Sequence, residues 1–218
     1  MLLSDCCELS GLDESDTLSV VVADDQWELI SIVGFPEKRA IEEAAEKSPG
    51  KAVILATPES CEHVSKALPG WTISPARLHL LGENTHLPSI SDKEVRLITS
   101  SELEEMTILP PDLKEELVEA SEYSPVSAAF ADNNPVSFCY AGSQTESLWD
   151  ISIDTLEEFR NRGFASTAVA YLIEHMSRQD KQPVWGAEEI NVASMKLAAK
   201  LGFVVVDRIM VFQRADKN

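Results

Sequence analysis

The 218-residue chain is poor in cations, with 18 Lys and Arg against 37 Asp and Glu and a formal net charge of −19 at pH 7. No basic run offsets that field locally, so nucleic acid is not expected as a partner. Long apolar runs are also missing: nothing approaches the roughly 18 residues that a spanning helix needs. The opening segment, MLLSDCCELSGLDESD, turns acidic after two leucines, where a secretory leader would carry a basic flank and an apolar stretch. The expectation is therefore a cytoplasmic protein without membrane association. Cysteine is scarce and unpatterned. Cys6, Cys7, Cys61 and Cys139 show neither metal-ligand spacing nor a disulfide framework, so reduced thiols and no metal are expected.

A hydrophobic content of 44% is enough for a proper core. Residues 1–16 lack apolar periodicity and read as a flexible N-terminus. Residues 17–88 read as a small α/β domain. Its expected elements are strands over 19–22 and 27–32, a charged helix over 37–47 and a buried strand over 52–56. A helix then opens at Thr57-Pro58 and stops at Pro69-Gly70, and a strand over 73–81 completes the unit. The polar, turn-forming stretch from Gly82 to Pro88 reads as a linker. A second domain over 93–218 starts with a strand at 95–99, a capping-box pair Ser101 and Glu104, and a helix after Pro110-Pro111. Strands over 126–131, 136–141 and 148–155 on short connections predict an antiparallel meander. A helix over 163–177, a strand over 183–186, a helix over 191–200 and a strand over 203–212 follow. The order β-α-α-β-β-β-α-β-α-β implies an α/β (α+β) fold: a mixed, mostly antiparallel sheet flanked by helices, with one helical crossover.

The most informative segment runs from Ile151 to Ala165, a strand, a turn and a helix start. A helix N-terminus presents backbone N–H groups and a positive dipole end, so a turn feeding it can wrap a pyrophosphate if side chains stay clear. Gly163 and Ala165 supply clearance, and Arg160 and Arg162 supply cations in a chain otherwise short of them. A glycine that opens a helix is common on structural grounds alone. The whole run Phe159-Arg160-Asn161-Arg162-Gly163-Phe164-Ala165, however, resembles the acyl-CoA-binding motif of the GNAT superfamily. A second stretch, from Asn191 to Phe203, resembles that family's last helix, with its starting Asn, small first-turn residues and Lys-Leu-Gly-Phe exit. The resemblance spans about residues 93 to 213. It implies a GNAT acyl-CoA N-acyltransferase fold preceded by a smaller α/β domain, which reads by analogy as a degenerate GNAT-like half.

What the resemblance implies for chemistry is acetyl-CoA as co-substrate and an amine acceptor. The backbone of Ile153, Asp154 and Thr155 would pair with the pantetheine arm. Arg160, Asn161, Arg162, Gly163, Phe164, Ala165 and Ser166 would hold the pyrophosphate, with Asn191 and Ser194 lining the same site. Direct attack by the amine needs no covalent enzyme intermediate, so Cys139 reads as strand packing. Asp150 is the first candidate general base and Glu188 the second, each with a plain structural reading beside it. The sequence departs from the family at two positions. Ala198 stands where many members have the tyrosine that protonates the leaving thiolate, which leaves Ser194 as a candidate donor. Gly186 stands where some N-terminal acetyltransferases carry a Glu. Trp149 and Trp185 read as packing residues, with stacking on a substrate as the alternative, and His175 as structural. The leading expectation is an N-acetyltransferase acting on a primary amine of a small molecule. A protein lysine or N-terminus as acceptor, and a non-catalytic acyl-CoA-binding module, are the alternatives. The N-terminal unit has two candidate roles, closing over the acceptor or forming a homodimer contact through its sheet edge.

Overall fold

The computed structural model describes residues 8–10, 19–23, 28–50, 52–83, 85–87 and 94–215. The elements of the first half are β1 (Glu8–Ser10), β2 (Val20–Ala23), β3 (Leu29–Val33), α1 (Lys38–Lys47), β4 (Val53–Ala56), α2 (Cys61–Ala67) and β5 (Trp71–Leu81). Then follow β6 (Val95–Ile98), α3 (Ser100–Glu105), α4 (Pro111–Tyr123), β7 (Val126–Ala131), β8 (Asn134–Gln144) and β9 (Leu148–Thr155). The chain closes with α5 (Phe164–Ser177), β10 (Gln182–Glu188), α6 (Val192–Lys200) and β11 (Phe203–Arg214). No described helix is long and apolar enough to cross a membrane.

Most of these elements follow the sequence pattern closely. In α1, Lys38–Glu42 and Arg39–Glu43 pair across one turn on the wet face while Ile41, Ala44 and Ala45 are buried. The capping box falls two residues earlier than expected: Thr99 Oγ1 accepts the Glu102 N–H at 3.3 Å, and Glu102 accepts the Thr99 N–H at 2.9 Å. Arg96, 2.8 Å from Glu102, decides that register by pairing with the capping carboxylate. The helix expected to open at Thr57-Pro58 starts at Cys61, after a turn in which the Thr57 and Ser60 hydroxyls bond each other at 3.2 Å. Most of the stretch 1–16 lies outside the described residues, and its Glu8–Ser10 portion is a strand paired with β2 rather than an irregular terminus.

Among the described residues eleven strands form one sheet, in the order β1-β2-β3-β4-β11-β5-β10-β9-β8-β7-β6. The pairs β3/β4 and β9/β10 are parallel, each spanned by a helix, and the remaining pairs are antiparallel. The strand expected to complete the N-terminal unit, β5, instead lies between β10 and β11. The sheet is thus continuous across the division expected after β5. The physical reason is the length of β11: it pairs with β5 from Phe203↔Leu81 to Arg214↔Trp71, and its far end, Met210–Gln213, also pairs with β4. The short stretch after β5 is tied to the second half as well, since Gly82 N–H and Thr85 Oγ1 both donate to the Gly202 carbonyl at 3.1 Å.

Strand alternation gives the sheet two differently covered faces. On one face α5 and α6 pack on Cys139, Trp149, Ile151, Trp185 and Phe203, and α1 and α2 pack on Ile30, Ile54 and Phe212. On the other face α3 and α4 cover Ala128, Phe138 and Tyr140 of β7 and β8. Their cover stops there, and the same face of β10, β5 and β11 holds exposed Leu80 and Val204.

Candidate active site

The site begins where two parallel strands part. Pairing of β10 with β9 covers Gln182↔Leu148, Pro183↔Trp149 and Val184↔Asp150, and the two strands continue unpaired with each other to Glu188 and Thr155. The Leu156 N–H donates to the Val136 carbonyl at 2.9 Å and fixes the phase of the β8/β9 ladder. Asp154 and Ser152 therefore exchange backbone bonds with β8, and Ile151, Ile153 and Thr155 direct their N–H and C=O groups toward the β10 side. A wedge lined by backbone donors and acceptors results.

Beyond the wedge comes the glycine turn. Glu157–Phe159 make one 3₁₀ turn, Asn161 and Gly163 adopt φ of 59° and 86°, and Gly163 is the N-cap of α5. The left-handed conformation at Gly163 is one that a side chain would strain. The first α-helical bond of α5 runs from Thr167 N–H to the Gly163 carbonyl, which also accepts the Ser166 and Thr167 hydroxyls at 2.8 and 3.2 Å. The first-turn N–H groups thus point at the turn. Arg160 Nε donates to the Thr155 carbonyl at 3.1 Å, and the Arg162 guanidinium lies 5.1 and 5.4 Å from the Phe159 and Phe164 rings, so both cations are held beside the helix end. A third cation comes from α6: Lys200 Nζ is 3.4 Å from Ser166 Oγ. Sequence pattern alone makes Lys200 part of a helix exit; its pairing to the start of α5 emerges from the packing of α6 beside it.

At the vertex lies Asp150. Burial pushes its carboxyl up to about 6, against the opposing hydrogen bonds from the Gly186 and Ile151 N–H groups. Besides its paired residue Val184, a glycine on each flanking strand comes close to it: a Cβ on Gly142 would lie 3.7 Å from Asp150 Oδ2, and one on Gly186 4.0 Å from Oδ1. On the β10 side the missing side chain leaves the carboxylate approachable, whereas beside Gly142 the Ser152 hydroxyl takes the space, 2.7 Å from where a Cβ would sit. Gly186 thus acquires a steric meaning that its identity alone did not convey. Glu188 is on the same face but is held by the Ser74 hydroxyl, which donates to Glu188 Oε2. Next along β9, Asp154 accepts from Tyr140 Oη at 3.1 Å, and Glu116 of α4 accepts from the same hydroxyl at 2.5 Å. Burial pushes the Asp154 carboxyl up, and burial followed by the Glu116 hydrogen bond pushes the Tyr140 phenol up.

The remaining candidates lie across the sheet. Ser194 Oγ accepts from Trp185 Nε1 at 2.9 Å, and its N–H donates to Asn191 Oδ1 at 3.0 Å, so Asn191 caps α6. Trp149 and Trp185 are both buried, and Trp185 packs edge-on against Phe203 at 5.3 Å, which makes them core residues. Cys139 is buried in the same core with its thiol pushed up by burial, unsuited to nucleophilic work. Ala198 is fully buried beside them. Two open depressions, of about 330 and 450 Å³, flank the Arg77–Glu189–Arg208 ion pairs beside α6 and β11 and lie away from the wedge. Neither depression is lined by a residue of β9 or of the turn that opens α5. Among the described residues no group of three or more His, Cys, Asp or Glu is placed to hold a metal ion.

The mixed sheet flanked by helices has the same fold as solved GCN5-related N-acetyltransferase structures. Residues 127–212 match the family model for GNAT acetyltransferase. Among solved structures it is similar to a GCN5-related N-acetyltransferase-like protein from Streptococcus suis 89/1591, with 16% identity, 95% of this chain and 88% of that one covered, and a TM-score of 0.69. It is also similar to a GCN5-related N-acetyltransferase from Kribbella flavida, with 12% identity, 90% and 86% covered, and a TM-score of 0.62. A tandem GNAT protein from the clavulanic acid biosynthesis pathway shares 12% identity over 96% of this chain and 83% of its own, with a TM-score of 0.54. No curated protein matches the sequence.

Proposed function

We propose that the protein transfers acetyl from acetyl-CoA to a primary amine of a small molecule, by direct attack within a ternary complex. The observation that carries this reading is the convergence, along β9, of a cation-flanked glycine turn at one end and a carboxylate of raised pKa at the other. The α5 N-terminus with Arg160, Arg162 and Lys200 binds the pyrophosphate, and the backbone of Ile153 and Thr155 pairs with the pantetheine arm. Backbone N–H groups of β9 in the wedge stabilise the oxyanion that develops on the acetyl carbonyl. The neutral amine forms the new N–C bond as the C–S bond breaks. Asp150 takes the proton that leaves nitrogen, directly or through one water, and the departing thiolate, a base strong enough to be protonated at neutral pH, takes its proton from solvent. This division of labour suits a site in which the tyrosine position is occupied by buried Ala198. The Ser194 hydroxyl, bonded to the Trp185 indole, serves to hold α6 against β10.

The test is calorimetric titration of acetyl-CoA into the wild-type protein and into Gly163→Glu. The reading requires micromolar-range binding that disappears in the variant while its circular dichroism spectrum is kept. A wild-type protein that takes up no acetyl-CoA overturns it.

A further inference from the structure

Resting on the acetyltransferase reading, we infer that the acceptor is a primary amine attached to an apolar body, and that this body lies on a shelf formed by Val184, Leu80 and Val204. The placement follows from register. Asp150 pairs with Val184, Val184 with Leu80, and Leu80 with Val204, so the four side chains form one row across β9, β10, β5 and β11 on one face of the sheet. That is the face that α3 and α4 leave uncovered beyond β9. At a strand spacing of about 4.8 Å the row extends roughly 14 Å from the carboxylate, and no charged side chain interrupts it.

The next row adds Gly186 and Leu78 and ends at Asp207, which pairs with Leu78 just past a bulge in β11 and bounds the apolar shelf on that side. Leu80 and Val204 are 38% and 52% exposed, which leaves adjacent apolar side chains open on this face in a chain whose net charge is −19. Its occupant is set by continuity with Asp150. Gly186, on the shelf side of that carboxylate, keeps open the path by which an amine nitrogen reaches it while the rest of the molecule stays on the shelf. A polyamine or amino sugar would place a second charge or several hydroxyls against Val184 and Leu80 without partners, which disfavours such acceptors.

The experiment compares phenylethylamine and octylamine with spermidine and glucosamine as acceptors, with product measured by mass spectrometry, in the wild-type protein, Leu80→Ser and Val204→Ser. The expected result is a preference of at least about tenfold in kcat/KM for the two apolar amines. Each variant should lose about tenfold on those amines, mainly in KM, with acetyl-CoA affinity at the wild-type value. Preferential use of spermidine or glucosamine overturns the inference, as does an equal loss on all four amines. A wild-type dimer in light scattering that Val204→Ser dissociates also overturns it, because the shelf would then be an interface between copies. If acetyl-CoA fails to bind, the acetyltransferase reading falls. The shelf is still decided in that case by titrating phenylethylamine alone, whose binding must weaken in Leu80→Ser.

Discussion

Replacing Asp150 by asparagine should slow the enzyme and stabilise the protein at the same time. Burial raises the carboxyl from 3.8 to about 6. The shift of roughly two pH units corresponds to about 3 kcal/mol, an upper bound because the group keeps some contact with solvent. A raised folded-state value means that the stability linked to this group is complete below pH 3.8 and is lost as pH rises through about 6. The amide of Asp150→Asn would carry no charge to desolvate, and its oxygen would still accept the Gly186 N–H. The thermal midpoint of this variant at pH 7 should exceed the wild type's by on the order of 5–10 °C, a difference that vanishes near pH 4. Activity should move in the opposite direction, by about 10²–10⁴-fold, the usual contribution of a general base. The amine's own titration complicates a pH profile, but it cancels in the ratio of wild-type to variant kcat/KM for one amine. That ratio should grow about tenfold between pH 5 and pH 7, as the ionised fraction of Asp150 rises from about one-tenth to about nine-tenths. A ratio that stays flat across that range, or a variant with wild-type turnover, would refute the assignment of Asp150 as base.

Lys200→Ala should weaken acetyl-CoA binding about five- to tenfold in calorimetry, with a smaller loss at high salt, since its ammonium stands beside the start of α5. Gly202→Ala should destabilise by roughly 2 kcal/mol or more in urea unfolding. Its φ is +83° and the new Cβ would lie 2.4 Å from Thr85 Cγ2, so Thr85→Ser should recover part of the loss. Glu102, held at about 2 first by Arg96 and then by the Thr99 N–H, contributes stability that is present above pH 4.5 and lost as pH falls through about 2. Acid unfolding of Glu102→Gln, followed by fluorescence, should therefore be less steep over that window.

The parts of the molecule that are legible in the sequence are those whose cause is local. The strand into Thr155, the Gly163 cap and the apolar face of α5 each depend on residues a few positions apart, and the chain folds there as its pattern implies. The Asn191 cap is legible for the same reason. What cannot be read is what long-range pairing decides. Nothing in Trp71–Leu81 announces that its partners are β10 and β11, more than 100 residues away, and with that placement the shelf beside Asp150 is hidden too. The same limit applies to Glu188, whose hydroxyl partner Ser74 comes from β5, and to Tyr140, whose hydroxyl meets Glu116 of α4 and Asp154 of β9.

The position of β5 bears on how the chain reaches its native state. Residues 71–81 leave the ribosome long before β10 and β11 exist, so a strand with two open edges must wait for both of its neighbours. Closing those pairings spans most of the chain, a loop entropy that slows folding. The last strand, Phe203–Arg214, therefore acts as the latch of synthesis: chains that stop short of it should leave the β5 edge bare, and a chain begun at residue 94 should lack the strand that joins its own β10 to β11.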